Sequence, residues 1–154
     1  MKPERARWIA ERVHEEDLDE DGRPLLLHIG RVADRTPPEA RTVAWLHEVL
    51  EHTMLTEHEL LADGLSDDEL RALRLLRRAG DTRSDRIYMA HLDRIARAAG
   101  HSGDLARAVK LADLEDRLLH PRVRPDGWAP PYARGLQLLV QTDTERSAAS
   151  AGAR

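Results

Sequence analysis

Two histidines and two glutamates crowd into six residues of the stretch Val43-Ala44-Trp45-Leu46-His47-Glu48-Val49-Leu50-Glu51-His52-Thr53. Imidazoles and carboxylates at this density carry protons or bind metal ions. At ~100° per residue, Val43, Leu46, Leu50 and Met54 form one apolar helical stripe, with His47 on it, Glu51 a turn further on, and Glu48 and His52 stepping around the side. A carboxylate on a face that must be buried is costly without compensation. Either hydrogen-bonding partners or a metal ion can supply that compensation, and the two imply different functions.

Two further segments place polar groups on apolar faces. A helix over Asp104–Leu119 has the stripe Leu105, Ala108, Val109, Ala112 and Leu119, with Asp113 at its edge and Asp116 inside it. His28 flanks the Leu25/Ile29/Val32 face of a helix over Leu25–Asp34. In a bundle, three such helices can converge and offer mixed nitrogen and oxygen ligands, which suit manganese, iron or zinc better than magnesium or calcium. Plainer readings stand beside this one. Each histidine can be a hydrogen-bonded core residue, Asp113 and Asp116 can be partners of Arg117 or Lys110 or cap another helix, and Glu48, Glu51 and His52 can form a solvated edge.

The elements that position these groups all read as helices. Pro3 to about Asp17 carries Trp8, Ile9 and Val13 on one side, and the acidic Glu15–Asp21 run ending at Gly22 reads as a solvated connector. Three capping boxes are expected: Thr36…Glu39 with prolines opening the central helix, Thr56…Glu59 for a short helix to about Ala62, and Ser66…Glu69 for one to about Ala79. A turn at Gly80–Ser84 precedes a helix over Asp85–Ala99 with Ile87, Leu92 and Ile95 inward, and Gly100 to Gly103 breaks the chain. Pro121, Pro125, Gly127, Pro130 and Pro131 make a stiff loop before a last helix, Tyr132–Thr142. No strand alternation, internal repeat or heptad pattern is present. The expected class is all-α, a compact single-domain bundle of about seven or eight helices over residues 1–146, with 147–154 a frayed tail.

Composition narrows the function classes. The chain of 154 residues is 41% hydrophobic and 34% charged, enough for one domain with a real core. A net charge of −4 argues against nucleic acid or an anionic membrane as partner. The absence of cysteine removes disulfides and thiolate chemistry. No apolar run has signal-peptide or membrane-span length, so a soluble cytoplasmic protein is expected. Lys2 and Lys110 are the only lysines among many arginines, and alanine is abundant, the composition of a high-GC bacterial genome. Without phenylalanine, the larger core pieces are expected to be Trp8, Trp45, Trp128, Tyr88 and Tyr132.

Taken in order, Gly22-Arg23-Pro24-Leu25-Leu26-Leu27-His28, the Val43–Thr53 stretch and Val109-Lys110-Leu111-Ala112-Asp113 resemble the HD-domain hydrolases, above all the RelA/SpoT-type alarmone hydrolases and small stand-alone bacterial proteins like them. The likeness spans about Gly22 to Leu119, and the Val-Lys-Leu-Ala-Asp piece is its most specific part. It implies an all-α, metal-dependent phosphohydrolase acting on a small phosphorylated molecule such as a nucleotide, with manganese as the common ion and iron or zinc as alternatives. It implies His28, His47, Glu48 and Asp113 as metal ligands and Glu51 as the carboxylate that manages the attacking water. The metal lowers the pKa of a bound water and hydroxide attacks phosphorus. Arg31, Lys110, Arg117 and Tyr132 are the positions expected to contact the phosphorylated substrate.

The chain also differs from that family. Glu48 stands where the family has Asp, His52 where alarmone hydrolases have a second acid, and Arg117 where they have Asn. Neutral His52 suits a base for the water, and protonated His52 a donor to a leaving group. The acidic Asp17–Asp21 run takes the place of a basic nucleotide-binding pair, so guanosine tetraphosphate is not the expected substrate. The alternative function is an HD domain that binds a ligand or partner without turnover.

Overall fold

A computed structural model describes residues 1–78, 83–122 and 127–152, with side chains up to residue 149. The helices are α1 (Pro3–Val13), α2 (Leu25–Arg35), α3 (Arg41–Leu46), α4 (Val49–His52), α5 (Glu57–Ala62), α6 (Asp67–Leu76), α7 (Asp85–Arg97), α8 (Gly100–Leu119) and α9 (Tyr132–Gly152), with a 3-10 turn at Pro38–Ala40. The chain is all-α, as expected. With α3 and α4 counted as one interrupted helix, eight helices are described. Among the described residues there is no strand, only an isolated antiparallel bridge between Leu18 and Pro24, and no helix is long and apolar enough to cross a membrane.

Helix α8 is the hub, packing on α2, α3, α6, α7 and α9, while α1 covers α3. One continuous core runs through it, including Val43, Leu46, Leu73, Leu92, Ile95, Val109 and Leu114. Ile29 and Val32 are fully buried too, so the α2 face read from the sequence is the inward one.

Several boundaries differ, each for a local reason. Helix α1 stops at Val13 because the Asp17 carboxylate takes the His14 ring at 2.7 Å and the chain turns into the Leu18–Pro24 bridge. Gly22 closes that turn with φ +73°, a conformation most residues avoid. Thr36 is no N-cap: its hydroxyl donates to Val32 O at 2.7 Å and finishes α2, and Pro37 caps the 3-10 turn instead. The boxes Thr56…Glu59 and Ser66…Glu69 both form reciprocally as expected. Helix α8 begins at Gly100, before the expected start. Gly103 is no breaker but a contact point, where an added Cβ would lie 2.3 Å from Ala98 O. Helix α9 runs to Gly152, well past Thr142. Residues 80–82 of the expected turn and Pro125 of the expected loop lie outside the described residues.

Some side chains expected inward face solvent. Met54 follows the end of α4 and is 95% exposed, and Ile87, Leu119 and Trp8 are also exposed. Trp8 instead packs under the Arg5 guanidinium at 4.3 Å. Of the aromatic pieces only Tyr88 is fully buried, while Trp45 and Tyr132 pack partly buried against the core.

Candidate metal centre

The central helix is broken where the chemistry sits. His47 Nδ1 donates to Ala44 O at 2.6 Å, and that carbonyl is the acceptor a continuous helix would offer the Glu48 amide. The chain therefore loosens at His47–Glu48 while keeping near-helical angles. This turns both side chains inward toward α2 and α8. His28, His47, Glu48, Asp113 and Asp116 are all buried, so the solvated-edge reading fails for Glu48 and holds only for His52, whose side chain is 45% exposed.

Four acceptor atoms from three segments converge. His28 Nδ1 bonds Asp116 Oδ2 at 2.8 Å and His47 Nδ1 bonds a carbonyl, so each ring carries a proton on Nδ1 and turns its Nε2 inward. Neither Nε2 has a hydrogen-bond partner among the described residues. His28 Nε2 lies 3.3 Å from Asp113 Oδ1 and 3.8 Å from Glu48 Oε1, and His47 Nε2 lies 3.4 Å from the same Glu48 oxygen. An Nε2 this close to a carboxylate oxygen calls for a cation between them, either a proton on the ring or a metal ion. Ligands bonded to one ion at ~2.1 Å stand ~3.0–3.4 Å apart, close to these separations. His28, His47 and Asp113 are mutually close enough to hold one ion, and so, separately, are Glu48, Glu51 and His52. A cavity of about 20 Å³, room for one ion or water, lies against His47, Glu48, Glu51 and Asp113.

The bridging cations are the plainer reading of Asp113, and it is also correct. Arg117 Nε donates to Asp113 Oδ1 at 2.7 Å and its Nη2 to Glu48 Oε1 at 3.2 Å, while Lys110 Nζ donates to Asp113 Oδ2 at 2.6 Å. Burial alone would raise the carboxyl pKa values. Arg117 and Lys110 outweigh it at Asp113, and His47, His52 and Arg117 outweigh it at Glu48, so both stay ionised well below the usual range. Burial would lower the His47 pKa, but Glu48 and Asp113 raise it above its ordinary value.

A second ring of groups supports the first. Asp116 accepts from Arg31 (2.7 and 3.0 Å) and Arg35 (2.9 Å) as well as His28, and these partners overcome burial to keep it ionised. Glu51, half-buried, accepts from Arg78 Nη2 at 3.0 Å, and His52 Nε2 sits 3.2 Å from Glu48 Oε2. Outside lies a cleft of about 340 Å³ where Glu48, His52, Arg78, Arg117 and Arg122 meet the Asp17–Glu20 loop. That loop is the exposed connector expected, and an ordered one: Asp19 Oδ1 accepts from the amides of Asp21 and Arg23, and Glu20 accepts from Arg122 at 2.9 Å.

The expected ligands His28, His47, Glu48 and Asp113 are thus brought together, with Glu51 and His52 beside them. The expected substrate contacts separate. Arg117 and Lys110 reach the site, Tyr132 lies behind Arg117 with its ring centre 5.8 Å from the guanidinium carbon, and Arg31 forks onto Asp116 away from both cavities. Sequence reading gave no role to Arg35, Arg78, His91 or Arg122. Arg35 was findable, standing seven residues after His28 on the same face; Arg78, past the end of α6, carried no periodic signal. No family model matches the chain, and no curated protein matches it as a relative.

Proposed function

We propose that the protein is a metal-dependent phosphohydrolase of the HD type acting on a small phosphorylated molecule. The observation that carries this reading is the convergence of two imidazole Nε2 atoms on two carboxylate oxygens at 3.3–3.8 Å, a donor set that fits a transition-metal ion. His28, His47, Glu48 and Asp113 would hold it, with manganese first and iron or zinc as alternatives. When bound, the ion supplies Lewis acidity toward water and a phosphate oxygen.

The chain's own residues support the rest. Glu48, Glu51, Asp113 and Asp116 are four carboxylates, already outnumbered by the five cations Arg31, Arg35, Arg78, Lys110 and Arg117. A dication added to this set leaves a surplus of positive charge, which calls for an anionic ligand. Arg78 and Arg117 border both the small cavity and the cleft, where they can hold phosphate oxygens. Glu51 and His52, which lie beside Glu48, would take and return the proton of the attacking water.

The alternative, a binding module without turnover, is favoured by one observation: Lys110 and Arg117 already neutralise both oxygens of Asp113. Metal analysis of the purified protein and a phosphate-release screen over small phosphorylated molecules with added manganese decide the matter. About one transition metal per chain with turnover supports hydrolysis, metal without turnover supports the binding module, and neither metal nor turnover overturns both.

A further inference from the structure

Arg117 holds the two carboxylate oxygens that face the imidazoles. Its Nε lies 2.7 Å from Asp113 Oδ1, the oxygen next to His28 Nε2, and its Nη2 lies 3.2 Å from Glu48 Oε1, the oxygen shared by His28 and His47. Among the described cations no other bridges these oxygens; Lys110 takes only Asp113 Oδ2. We propose that Arg117 is the centre's internal stand-in for its metal ion, and that phosphate draws it off those oxygens, so that metal and phosphate bind cooperatively through this one side chain. The inference rests on the metal-dependent reading above.

The physical case is one of competing cations. A guanidinium 12% exposed cannot leave two buried carboxylates without a replacement for both sides of the pair. An ion on Glu48 and Asp113 replaces it on their side. Its own charge then needs an acceptor, and the cleft that Arg117 borders, shared with Arg78, offers a phosphate two parallel hydrogen bonds from one guanidinium. With metal alone, Arg117 is stranded beside a dication. With phosphate alone, it stays with the carboxylates. Each ligand therefore favours the other, and linkage makes the effect equal in both directions. Lys110, buried on Asp113 Oδ2, is the fixed counter-charge that remains.

Manganese binding, read from the free-ion electron paramagnetic resonance signal, tests this in the full chain and in Arg117→Gln, with and without inorganic phosphate and with buffer controls for manganese–phosphate complexes. In the natural chain phosphate should tighten manganese binding by about 5- to 50-fold. In Arg117→Gln manganese should bind more tightly than in the natural chain without phosphate, and phosphate should add little. If the variant binds manganese no more tightly, or phosphate helps both chains equally, the stand-in role is wrong while the metal centre survives. If neither chain binds manganese, the metal reading falls and takes this inference with it. Should that variant fail to fold, a second measurement stands in for it: the Arg117 Nε–H resonance of the natural chain, assigned by its loss in Arg117→Lys, should shift when diamagnetic zinc and phosphate are added together. A resonance that stays put while zinc binds would overturn the proposal.

Discussion

His28 on α2 and Asp116 on α8 meet through a 2.8 Å hydrogen bond, Nδ1 to Oδ2, across 88 residues of sequence, and both are buried. That bond fixes the His28 tautomer and aims its Nε2 at Glu48 and Asp113. Asp116 stays in place because Arg31 and Arg35 grip its other face. A carboxylate behind a ligating imidazole both orients the ring and makes it more basic.

Asp116→Asn should therefore weaken manganese binding by about 10- to 100-fold without removing any ligand. It should also cost about 1–3 kcal/mol of stability, since charged hydrogen bonds are lost while Arg31 and Arg35 can rehydrate. Calorimetric titration and a urea midpoint read the two effects. Unchanged metal affinity would show that the His28–Asp116 bond is structural only.

His47→Ala should abolish the metal dependence of stability. Manganese at 100 times its dissociation constant adds ~2.7 kcal/mol to a chain that binds it only when folded. The variant should keep its helical circular dichroism, because His47 sits in the loosened junction between α3 and α4, yet show no manganese-induced rise in melting temperature. An equal rise in both proteins would remove His47 from the ligand set.

The helices and the main convergence were legible because burial and chemistry left the same mark. His28, His47 and Asp113 interrupt apolar periodicities, and only groups with partners survive there. Two capping boxes fixed α5 and α6, whereas the third failed because Thr36 has a nearer use, at Val32 O. Arginine partners were less legible. Arg117 and Lys110 could be read as partners of Asp113 from i,i+4 and i,i+3 spacing, but the reach of Arg117 to Glu48 crosses 69 residues. The break at His47 also left no sequence mark, since it depends on a ring choosing a backbone carbonyl.

His91 on α7 predicts a pH effect on stability. Burial, with Lys110, Arg94 and Arg78 nearby, pushes its pKa down to about 3. The ring is neutral in the folded chain but takes a proton near pH ~6.5 once unfolded. Its contribution is thus full above pH ~6.5 and is lost as pH falls toward 3, at up to ~1.4 kcal/mol per pH unit. His91→Gln should flatten the urea midpoint across that window relative to the natural chain. Parallel pH profiles for the two proteins would show that His91 protonates alike in both states.

Two glycines should tolerate alanine unequally. At Gly103 a Cβ would meet the Ala98 carbonyl at 2.3 Å, and Arg107 Nη1 already donates to that oxygen, so backbone must move. At Gly135 the obstacle is the Leu92 methyl at 2.3 Å, which can rotate aside, and alanine regains ~1 kcal/mol of helix propensity. Gly103→Ala should cost about 2–3 kcal/mol and Gly135→Ala about 1 kcal/mol or less by urea denaturation. Equal costs would mean that α8 can slide away from Ala98.

The acidic wall of the cleft makes the last prediction, on substrate. Asp17 is held by His14 at 2.7 Å, Asp19 by two backbone amides, and Glu20 by Arg122, so three carboxyl groups are fixed beside the opening with one arginine among them. The cationic end, Arg78 and Arg117, can accept one phosphoryl group. Guanosine tetraphosphate carries two diphosphate arms, and with one arm at the arginines the other must approach like charge or bulk solvent, where little affinity is gained. With manganese present, its hydrolysis by the purified protein should stay at the rate of a protein-free control, while a substrate with a single phosphoryl group should bind more tightly than the tetraphosphate. Neutralising the wall with Asp17→Asn should improve affinity for multiply phosphorylated ligands more than for monophosphates, and the difference should shrink as salt is raised. Efficient tetraphosphate turnover by the natural chain would mean that the Asp17–Glu20 wall does not select against a second phosphorylated arm.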